Sequence, residues 1–222
     1  DVGPATGGAV CADGRIVTWG YNRYYNLGTN VTTVFVATPT AVSGLSLNSG
    51  ETIVDLDLDA GGGTVLTSAG RVLTWGRGAY GQLGKTGVTT NQKTVQIANR
   101  VDPTTGGTPI AVFSNWFTSG VVDDDGVVWT WGYGGGSGLQ AQGVTGPTTS
   151  LFARVGVDPT TRITHIDTSY YGTFVAPTDG SMWSWGTEAT SSGTYFLGDP
   201  TSGSRLSLGR ITLPGGRATS LP

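Results

Sequence analysis

Hydrophobic and polar residues alternate in many short stretches of this chain. The segments Arg15-Ile16-Val17-Thr18-Trp19 and Val127-Val128-Trp129-Thr130-Trp131 place apolar side chains at every second position. A period of two is typical of β-strands, whose successive side chains point to opposite faces of a sheet. Further apolar stretches lie upstream, at 64–67 and 173–176, and again at 52–56 and 162–166. The pattern predicts three or four short strands in each unit and almost no helix.

The strand pattern recurs along the chain. Trp-Gly pairs begin at Trp19, Trp75, Trp131 and Trp185, with spacings of 56, 56 and 54 residues. A turn pair precedes each tryptophan by the same interval: Asp13-Gly14, Ala69-Gly70, Asp125-Gly126 and Asp179-Gly180. Asp-Gly between two apolar strands predicts a two-residue hairpin turn with positive φ at both central positions, which glycine adopts without a Cβ clash.

The tryptophans are expected to lie between neighbouring sheets. Positions 17, 73, 129 and 183 alternate with the Trp-Gly tryptophans and therefore share a face with them. Large rings at that place fill the space between sheets. A unit of about 55 residues with three or four strands has the size of a propeller blade. The sequence predicts an all-β propeller of four repeats in a single domain, residues 1–222.

The repeats resemble the RCC1 type, named for the regulator of chromosome condensation. The family pattern is a strand, a small-residue stretch, a turn, a V-x-x-W-G strand and G-x-L-G, and "VLTSAGRVLTWGRGAYGQLG" at 65–84 fits it best. Leu-Gly recurs at Leu27, Leu83 and Leu197, whereas Leu139 is followed by Gln140. The resemblance covers essentially the whole chain and implies an RCC1-like β-propeller.

Two departures from the family limit what the resemblance implies. RCC1-type rings usually have about seven blades, whereas four repeats are present here. The histidine that the family carries near the second strand is also missing. The resemblance implies a scaffold for interactions, and the family includes a nucleotide exchange factor for a small GTPase. Without the full ring or a basic, chromatin-binding character, guanine-nucleotide exchange is disfavoured.

The two ends suggest a split repeat. The sequence begins just before the strand leading to Asp13-Gly14, and its last segment, Arg217, Ala218, Thr219, Ser220 and Leu221, resembles the first strand of repeat four at 162–166. We expect this terminal strand to complete the first blade. The strand could close a four-bladed ring within one chain, pair two chains into an eight-bladed ring, or join successive subunits into a filament. The chain could also be part of a longer propeller.

Charge and composition restrict the partners. Charged residues make up 12% of the chain, the net charge is −3, and Lys85 and Lys93 are the two lysines. No basic face is therefore expected, and nucleic acid is not a predicted partner.

The sequence also bears on membrane insertion and location. No apolar run reaches the roughly 18 residues that a membrane-spanning helix needs, so membrane insertion is not predicted. A single cysteine, Cys11, and a Thr-, Ser- and Gly-rich composition favour an extracellular or cell-surface location.

Catalytic chemistry is not predicted. A serine or cysteine nucleophile needs a general base within reach. The chain has one histidine, His165, and no G-x-S-x-G motif. His165 is expected to lie at the surface. We therefore predict a protein that is not an enzyme and has no cofactor.

Three aspartates at alternate positions are candidates for a metal site. Asp55, Asp57 and Asp59 would project on one face of a strand and repel one another unless a cation or water intervenes. An EF-hand loop would need glycine where Ala60 stands and glutamate where Leu66 stands. We therefore assign no metal site. The favoured interpretation is an exposed strand end that keeps a sheet edge soluble.

Aromatic pairs provide the candidate binding residues. Trp116-Phe117 and Tyr170-Tyr171 occupy equivalent places in repeats three and four. Such pairs could stack on a sugar or anchor a protein partner, or they could be buried between blades. Five tyrosines in the loops after Trp-Gly would suit a polar contact surface: Tyr21, Tyr24, Tyr25, Tyr80 and Tyr133.

Two functions remain open from the sequence. The leading hypothesis is a non-catalytic structural or assembly protein outside the cell, whose subunits associate through their terminal strands, with a filament as one form of the assembly. The alternative is a lectin-like or receptor-binding module that contacts a glycan or a protein through its loop aromatics.

Overall fold

The computed structural model describes residues 2–3, 6–98, 107–133, 153–155, 162–169, 172–186, 197–198 and 205–211. These residues form strands joined by turns and loops, and none of them lies in a helix. No helix long and apolar enough to cross a membrane is found in these ranges. The prediction of an all-β chain is confirmed.

The strands form four antiparallel sheets of four strands each, and we call these sheets blades 1 to 4. Blade 1 contains β1 (Val2–Gly3), β2 (Thr6–Val10), β3 (Ile16–Tyr21) and β4 (Phe35–Ala41). Blade 2 contains β5 (Ile53–Leu58), β6 (Gly62–Thr67), β7 (Val72–Gly76) and β8 (Gln92–Ile97). Blade 3 contains β9 (Pro109–Ser114), β10 (Thr118–Asp123), β11 (Val128–Gly132) and β12 (Ala153–Val155). Blade 4 contains β13 (Ile163–Thr168), β14 (Gly172–Pro177), β15 (Met182–Gly186) and β16 (Arg205–Ile211). Strand order within every blade follows chain order.

The hairpin between the second and third strands differs from the predicted two-residue turn. In blade 1, Val10 pairs with Ile16, and the amide of Cys11 donates to the carbonyl of Arg15. The connection therefore has three residues, 12–14. Of these only Gly14 has positive φ, at 82°. This is the geometry of a type I turn followed by a left-handed residue, so the glycine of Asp-Gly was correctly singled out but the turn type was wrong.

Apolar side chains pack between successive blades. Blades 1 and 2 enclose one buried cluster: Ile16, Val42, Leu58, Val65, Leu73 and Trp75. Blades 2 and 3 enclose a second: Leu66, Val72, Ala98, Val112, Val121, Trp129 and Trp131. Blades 3 and 4 enclose a third: Phe113, Val122, Val128, Ile163, Val175 and Trp185. The core is thus a series of inter-blade layers, as the alternating strands and recurring tryptophans predict.

Each described inter-blade layer from blade 1 to blade 3 joins a tryptophan to the Leu-Gly of the preceding blade. The Trp75 indole N–H donates to the carbonyl of Asn26 at 2.9 Å, and that of Trp131 donates to the carbonyl of Gln82 at 2.8 Å. A Cβ on Gly28 would lie 2.7 Å from the Trp75 ring, and one on Gly84 would lie 2.8 Å from Trp131. Glycine is therefore required where the preceding blade contacts the indole.

The inner edge of blade 1 is formed by β1 in the described residues. Val2 pairs with Gly7, and Gly3 pairs with Thr6. The predicted terminal strand, 217–221, lies outside the described residues. The first tryptophan, Trp19, is half-buried, whereas Trp75, Trp131 and Trp185 are at most 1% exposed.

Candidate functional site

One face of the molecule gathers aromatic side chains from three blades around an arginine. We call this group the Arg77 cluster; its members are Tyr24, Arg77, Tyr80, Trp116, Phe117 and Tyr133. Tyr24 lies in the loop after β3, and Arg77 and Tyr80 lie in the loop after β7. In blade 3, Trp116 and Phe117 directly precede β10, and Tyr133 directly follows β11. All six side chains are partly accessible to solvent.

The guanidinium of Arg77 lies close to four rings. Its central carbon is 5.0 Å from the ring centroid of Tyr80 and 5.1 Å from those of Tyr24 and Trp116. The distance to the Phe117 ring is 5.7 Å. A cation within about 6 Å of an aromatic centroid is attracted by the ring quadrupole. The arginine therefore joins aromatic residues of blades 1, 2 and 3.

The rings also contact one another. Tyr24 meets Trp116 edge to face, with centroids 5.2 Å apart and planes at 88°. Tyr80 and Tyr133 are 4.7 Å apart, and Phe117 and Tyr133 are 5.5 Å apart. Aromatic pairs at these separations contribute about 0.5–1.5 kcal/mol beyond their buried area. The cluster is consequently a preorganised surface.

Short turns hold the cluster in place. The Arg77 amide donates to the carbonyl of Gly61 at 2.7 Å. The side-chain oxygen of Asn115 accepts from the amides of Phe117 and Thr118 at 3.0 and 2.9 Å. The Gln82 side-chain oxygen accepts from the Tyr80 amide at 2.9 Å. Because backbone groups fix these loops, the aromatic side chains need little reordering to meet a partner.

The sequence foresaw part of this arrangement. Trp116 and Phe117 lie on a solvent-accessible face, together with Tyr24, Tyr80 and Tyr133, which were expected to form a contact surface. Their suggested companions Tyr170 and Tyr171 lie outside the described residues, so that pairing stays a prediction. Arg77 was missed. The available signal was its position directly after Trp-Gly, where repeats one and three carry Tyr21 and Tyr133.

The predicted aspartate group lies along a central channel. The inner strands β5, β9 and β13 line a cavity of about 500 Å³. Asp55 and Asp57 point toward blade 3, as alternation predicts. Asp55 accepts from the Val112 amide at 2.9 Å, and Asp57 accepts from the Ser114 amide. The exposed strand end was therefore wrong for these residues, because their carboxylates bind backbone N–H groups of the neighbouring inner strand.

Asp59 ends the same stretch and is buried. One of its oxygens, Oδ1, accepts from the amides of Gly61 and Gly62 at 2.6 and 2.9 Å. Burial raises the pKa of Asp59 to about 7, opposed by these two hydrogen bonds and by the charge of Arg77. Burial also raises the pKa of Asp57 to about 7, assisted by the nearby charges of Asp59 and Asp55.

The described residues offer no group of three or more His, Cys, Asp or Glu side chains placed to hold a metal ion. His165 lies on β13 at the channel with its side chain exposed, and its Nδ1 is 3.1 Å from the hydroxyl of Thr164. The Arg77 cluster itself offers contact through aromatic rings, a guanidinium and phenol hydroxyls.

Comparison with known proteins shows which repeat family the sequence is similar to. Residues 69–105 match the model of the regulator of chromosome condensation (RCC1) repeat. The chain is 28% identical over 124 residues to the mitochondrial RCC1 domain-containing protein RUG3 of Arabidopsis thaliana, which is 56% of this chain and 26% of that protein.

Solved structures give the same arrangement of blades. Human WBSCR16 aligns with a TM-score of 0.80 and 16% identity over 97% of this chain and 52% of that chain. Yeast RCC1 (Prp20), solved with Kap60 bound, aligns with a TM-score of 0.76 and 19% identity over 96% of this chain and 48% of its own. Prp20p from Saccharomyces cerevisiae, studied for its binding to Gsp1p and histones, gives 0.74 and 22%, over 96% and 49%.

The fold and its inter-blade contacts define an RCC1-like β-propeller. The chain spans about a quarter of the curated relative and about half of each solved propeller. The matched repeat and the propeller fold agree with the resemblance that the Trp-Gly and Leu-Gly pattern predicted.

Proposed function

We propose that this propeller is a non-catalytic protein-interaction module that contacts its partner through the Arg77 cluster. The observation that carries the proposal is the gathering of five aromatic rings and one guanidinium, from three blades, on a single accessible face. Arginine, tryptophan and tyrosine are the residues that most often dominate the binding energy of protein interfaces. The yeast propeller of similar fold binds proteins, which supports a protein as the partner class.

Site-specific photocross-linking tests the proposal. A benzophenone amino acid replaces Tyr80 within the cluster or, as a control, Phe35 on the outer strand of blade 1, whose ring is 70% exposed. In extracts of the source organism, we expect a defined protein adduct from position 80 and none from position 35. Equal adducts from both positions would contradict the proposal. A glycan-array signal lost on substituting the cluster would reassign the site to a sugar.

Loss of binding provides the second half of the test. Arg77→Met keeps the length and apolar contacts of the side chain but removes its charge, and Trp116→Ala removes a ring. Both variants should retain the β-sheet circular dichroism spectrum while the adduct yield falls about tenfold or more, as expected for residues that dominate an interface. An unchanged yield from two folded variants would refute the role of the cluster.

Self-association is a second candidate function, favoured by Trp19. Its indole is half-buried and has no hydrogen-bond partner among the described residues, whereas Trp75 and Trp131 donate to a preceding blade. A second copy could supply that carbonyl, and the segment 217–221, predicted from sequence to form a strand, would add backbone pairing. Assembly into a filament is the extended form of this proposal.

Sedimentation velocity tests self-association. We expect Trp19→Ala, or deletion of residues 217–222, to convert a concentration-dependent oligomer into a monomer. The control is Tyr25→Ala in a neighbouring loop. A wild-type chain that is monomeric at every concentration, or oligomers that persist in both variants, would refute self-association.

The proposed location outside the cell or at its surface rests on composition, and antibody labelling of intact source cells tests it.

A further inference from the structure

Buried polar atoms without a protein partner converge between blades 2 and 3, directly beneath the Arg77 cluster. Within the described part of the chain, six buried side-chain atoms make no hydrogen bond, and five of them belong to residues lining one small cavity. These five are Asp59 Oδ2, Arg77 Nη1, Gln82 Nε2, Ser114 Oγ and Asn115 Nδ2. Buried polar atoms are rarely left unpaired, because each costs about 1–3 kcal/mol.

The donors and acceptors in this cavity are fixed by bonds made on their other sides. Asn115 Oδ1 accepts backbone amides, so its Nδ2 points into the cavity as a donor. The same holds for Gln82, whose Oε1 accepts the Tyr80 amide. Asp59 uses Oδ1 for two glycine amides, which leaves Oδ2 as an acceptor. The site thus presents three N–H donors, a carboxylate oxygen and a hydroxyl.

The equivalent place in blade 1 is closed by the protein itself. Asn26 occupies the position of Gln82 before Leu-Gly, and its Nδ2 donates to the carbonyl of Tyr21 at 2.5 Å. Gln82 is longer by one methylene and lines the same cavity as Asn115 and Asp59. The interface of blades 2 and 3 therefore differs in this respect from the interface of blades 1 and 2.

We propose that this cavity is a buried water site that links Asp59 to Arg77. The cavity has a volume of about 10 Å³, which is about the smallest that holds one water with two to four polar partners. Water both donates and accepts, so it can donate to Asp59 Oδ2 and Ser114 Oγ and accept from two of the three N–H groups. An ion of either sign would meet groups of the wrong polarity.

The water connects the channel to the candidate binding face. Asp59 and Arg77 do not form a direct ion pair, since the ion pairs found in the described chain are Arg15–Asp13 and Arg71–Glu51. A water that accepts from Arg77 and donates to Asp59 links the two side chains by hydrogen bonds and holds the guanidinium in place among the rings. Arg77 would thus be positioned by Asp59 through this water. The role of Arg77 rests on the proposed function, whereas the water is measurable without any partner.

Magnetic relaxation dispersion of water ¹⁷O detects long-lived internal waters in the purified chain. We expect the wild type to hold at least one such water that Ser114→Val lacks, because the added methyl groups occupy its space. The control is Thr18→Val, which removes a buried hydroxyl that donates to the carbonyl of Leu27 and should leave the water count unchanged. Equal dispersion in wild type and folded Ser114→Val would overturn the proposal.

A crystal structure of the wild type gives a readout that no variant can obscure. Density for a water within hydrogen-bond distance of Asp59 Oδ2 and Arg77 Nη1 is expected, and a dry cavity would overturn the site.

The variant Asp59→Asn tests the link between Asp59 and Arg77, because it keeps Oδ1 but replaces the acceptor Oδ2 with an N–H donor. Exchange of the Arg77 guanidinium protons with solvent, followed by NMR, should accelerate about tenfold, as for loss of a charge-assisted bond. Arg71, paired with Glu51, should be unaffected, and an unchanged Arg77 would refute the positioning role.

Discussion

Single glycines decide how closely the blades approach each other. Gly84 has a φ of 59°, and a Cβ there would lie 2.8 Å from the Trp131 indole. Gly87 has a φ of 79°, but a Cβ there would have no neighbour within 4 Å. The two positions separate the cost of a left-handed residue from the cost of a steric clash.

Gly84→Ala should destabilise the protein more than Gly87→Ala. Both substitutions force alanine into a left-handed conformation, at about 1 kcal/mol, and Gly84→Ala adds overpacking of about 1–3 kcal/mol. Urea unfolding followed by tryptophan fluorescence measures both losses. If the two variants unfolded at the same urea concentration, the close contact with Trp131 would have no energetic consequence.

At the scale of the strands, aspartates connect neighbouring inner strands. Asp55 and Asp57 on β5 accept amides of β9, and the Thr168 hydroxyl on β13 donates to the carbonyl of Ser114 at 2.8 Å. These contacts replace the ladder bonds that inner strands of different blades do not share. A buried carboxylate in such a place is costly when ionised, which makes the connection sensitive to pH.

Stability should fall as the pH rises from about 4 to about 7. The pKa of Asp57 in the folded chain is about 7, above its ordinary value of 3.8. The native state therefore holds a proton that the unfolded chain has released across this range, and the free energy of unfolding declines with pH. Thermal unfolding at pH 5 and pH 8 should show a smaller loss for Asp57→Asn than for the wild type. Asp13→Asn, an exposed substitution, should keep the wild-type loss; equal losses in all three chains would contradict the prediction.

The strands themselves were largely predictable from sequence, whereas their connections and cross-blade partners were not. Alternation located β3, β7, β11 and β15, because a half-buried strand needs a period of two. Asp-Gly marked the hairpins, but the three-residue connection depends on strand register, which the pair alone does not fix. Likewise the alternation of Asp55 and Asp57 predicted a common face and gave no information on the amides of β9. The role of Arg77 was not predicted, because the aromatic rings around its guanidinium come from three separate repeats.

At the scale of the whole molecule, tryptophans contribute to the contacts between successive blades. Trp75 is buried and donates to blade 1, while Trp19 is half-buried and has no described partner. Trp75 and Trp19 occupy the same repeat position but are therefore expected to contribute differently to the free energy of unfolding. The difference between them measures the contribution of one inter-blade contact.

Trp75→Phe should cost about 1–3 kcal/mol, the sum of a lost hydrogen bond and a cavity beside Gly28. Trp19→Phe should cost less than about 1 kcal/mol, because Trp19 is only half-buried and its indole donates no hydrogen bond to a described residue. Chemical unfolding at low protein concentration, where association is minimal, measures both. A larger loss for Trp19→Phe would contradict this account of how the blades are joined.

The contact between Leu-Gly of one blade and tryptophan of the next has a consequence for how such proteins grow. Repeat two contains both halves of the contact: the indole of Trp75 faces blade 1, and the Gln82 carbonyl and Gly84 face blade 3. A gene duplication that copies such a repeat therefore copies both partners of the contact between blades. A propeller can in this way gain or lose a whole repeat while the indole, the carbonyl and the glycine at the new boundary are supplied together.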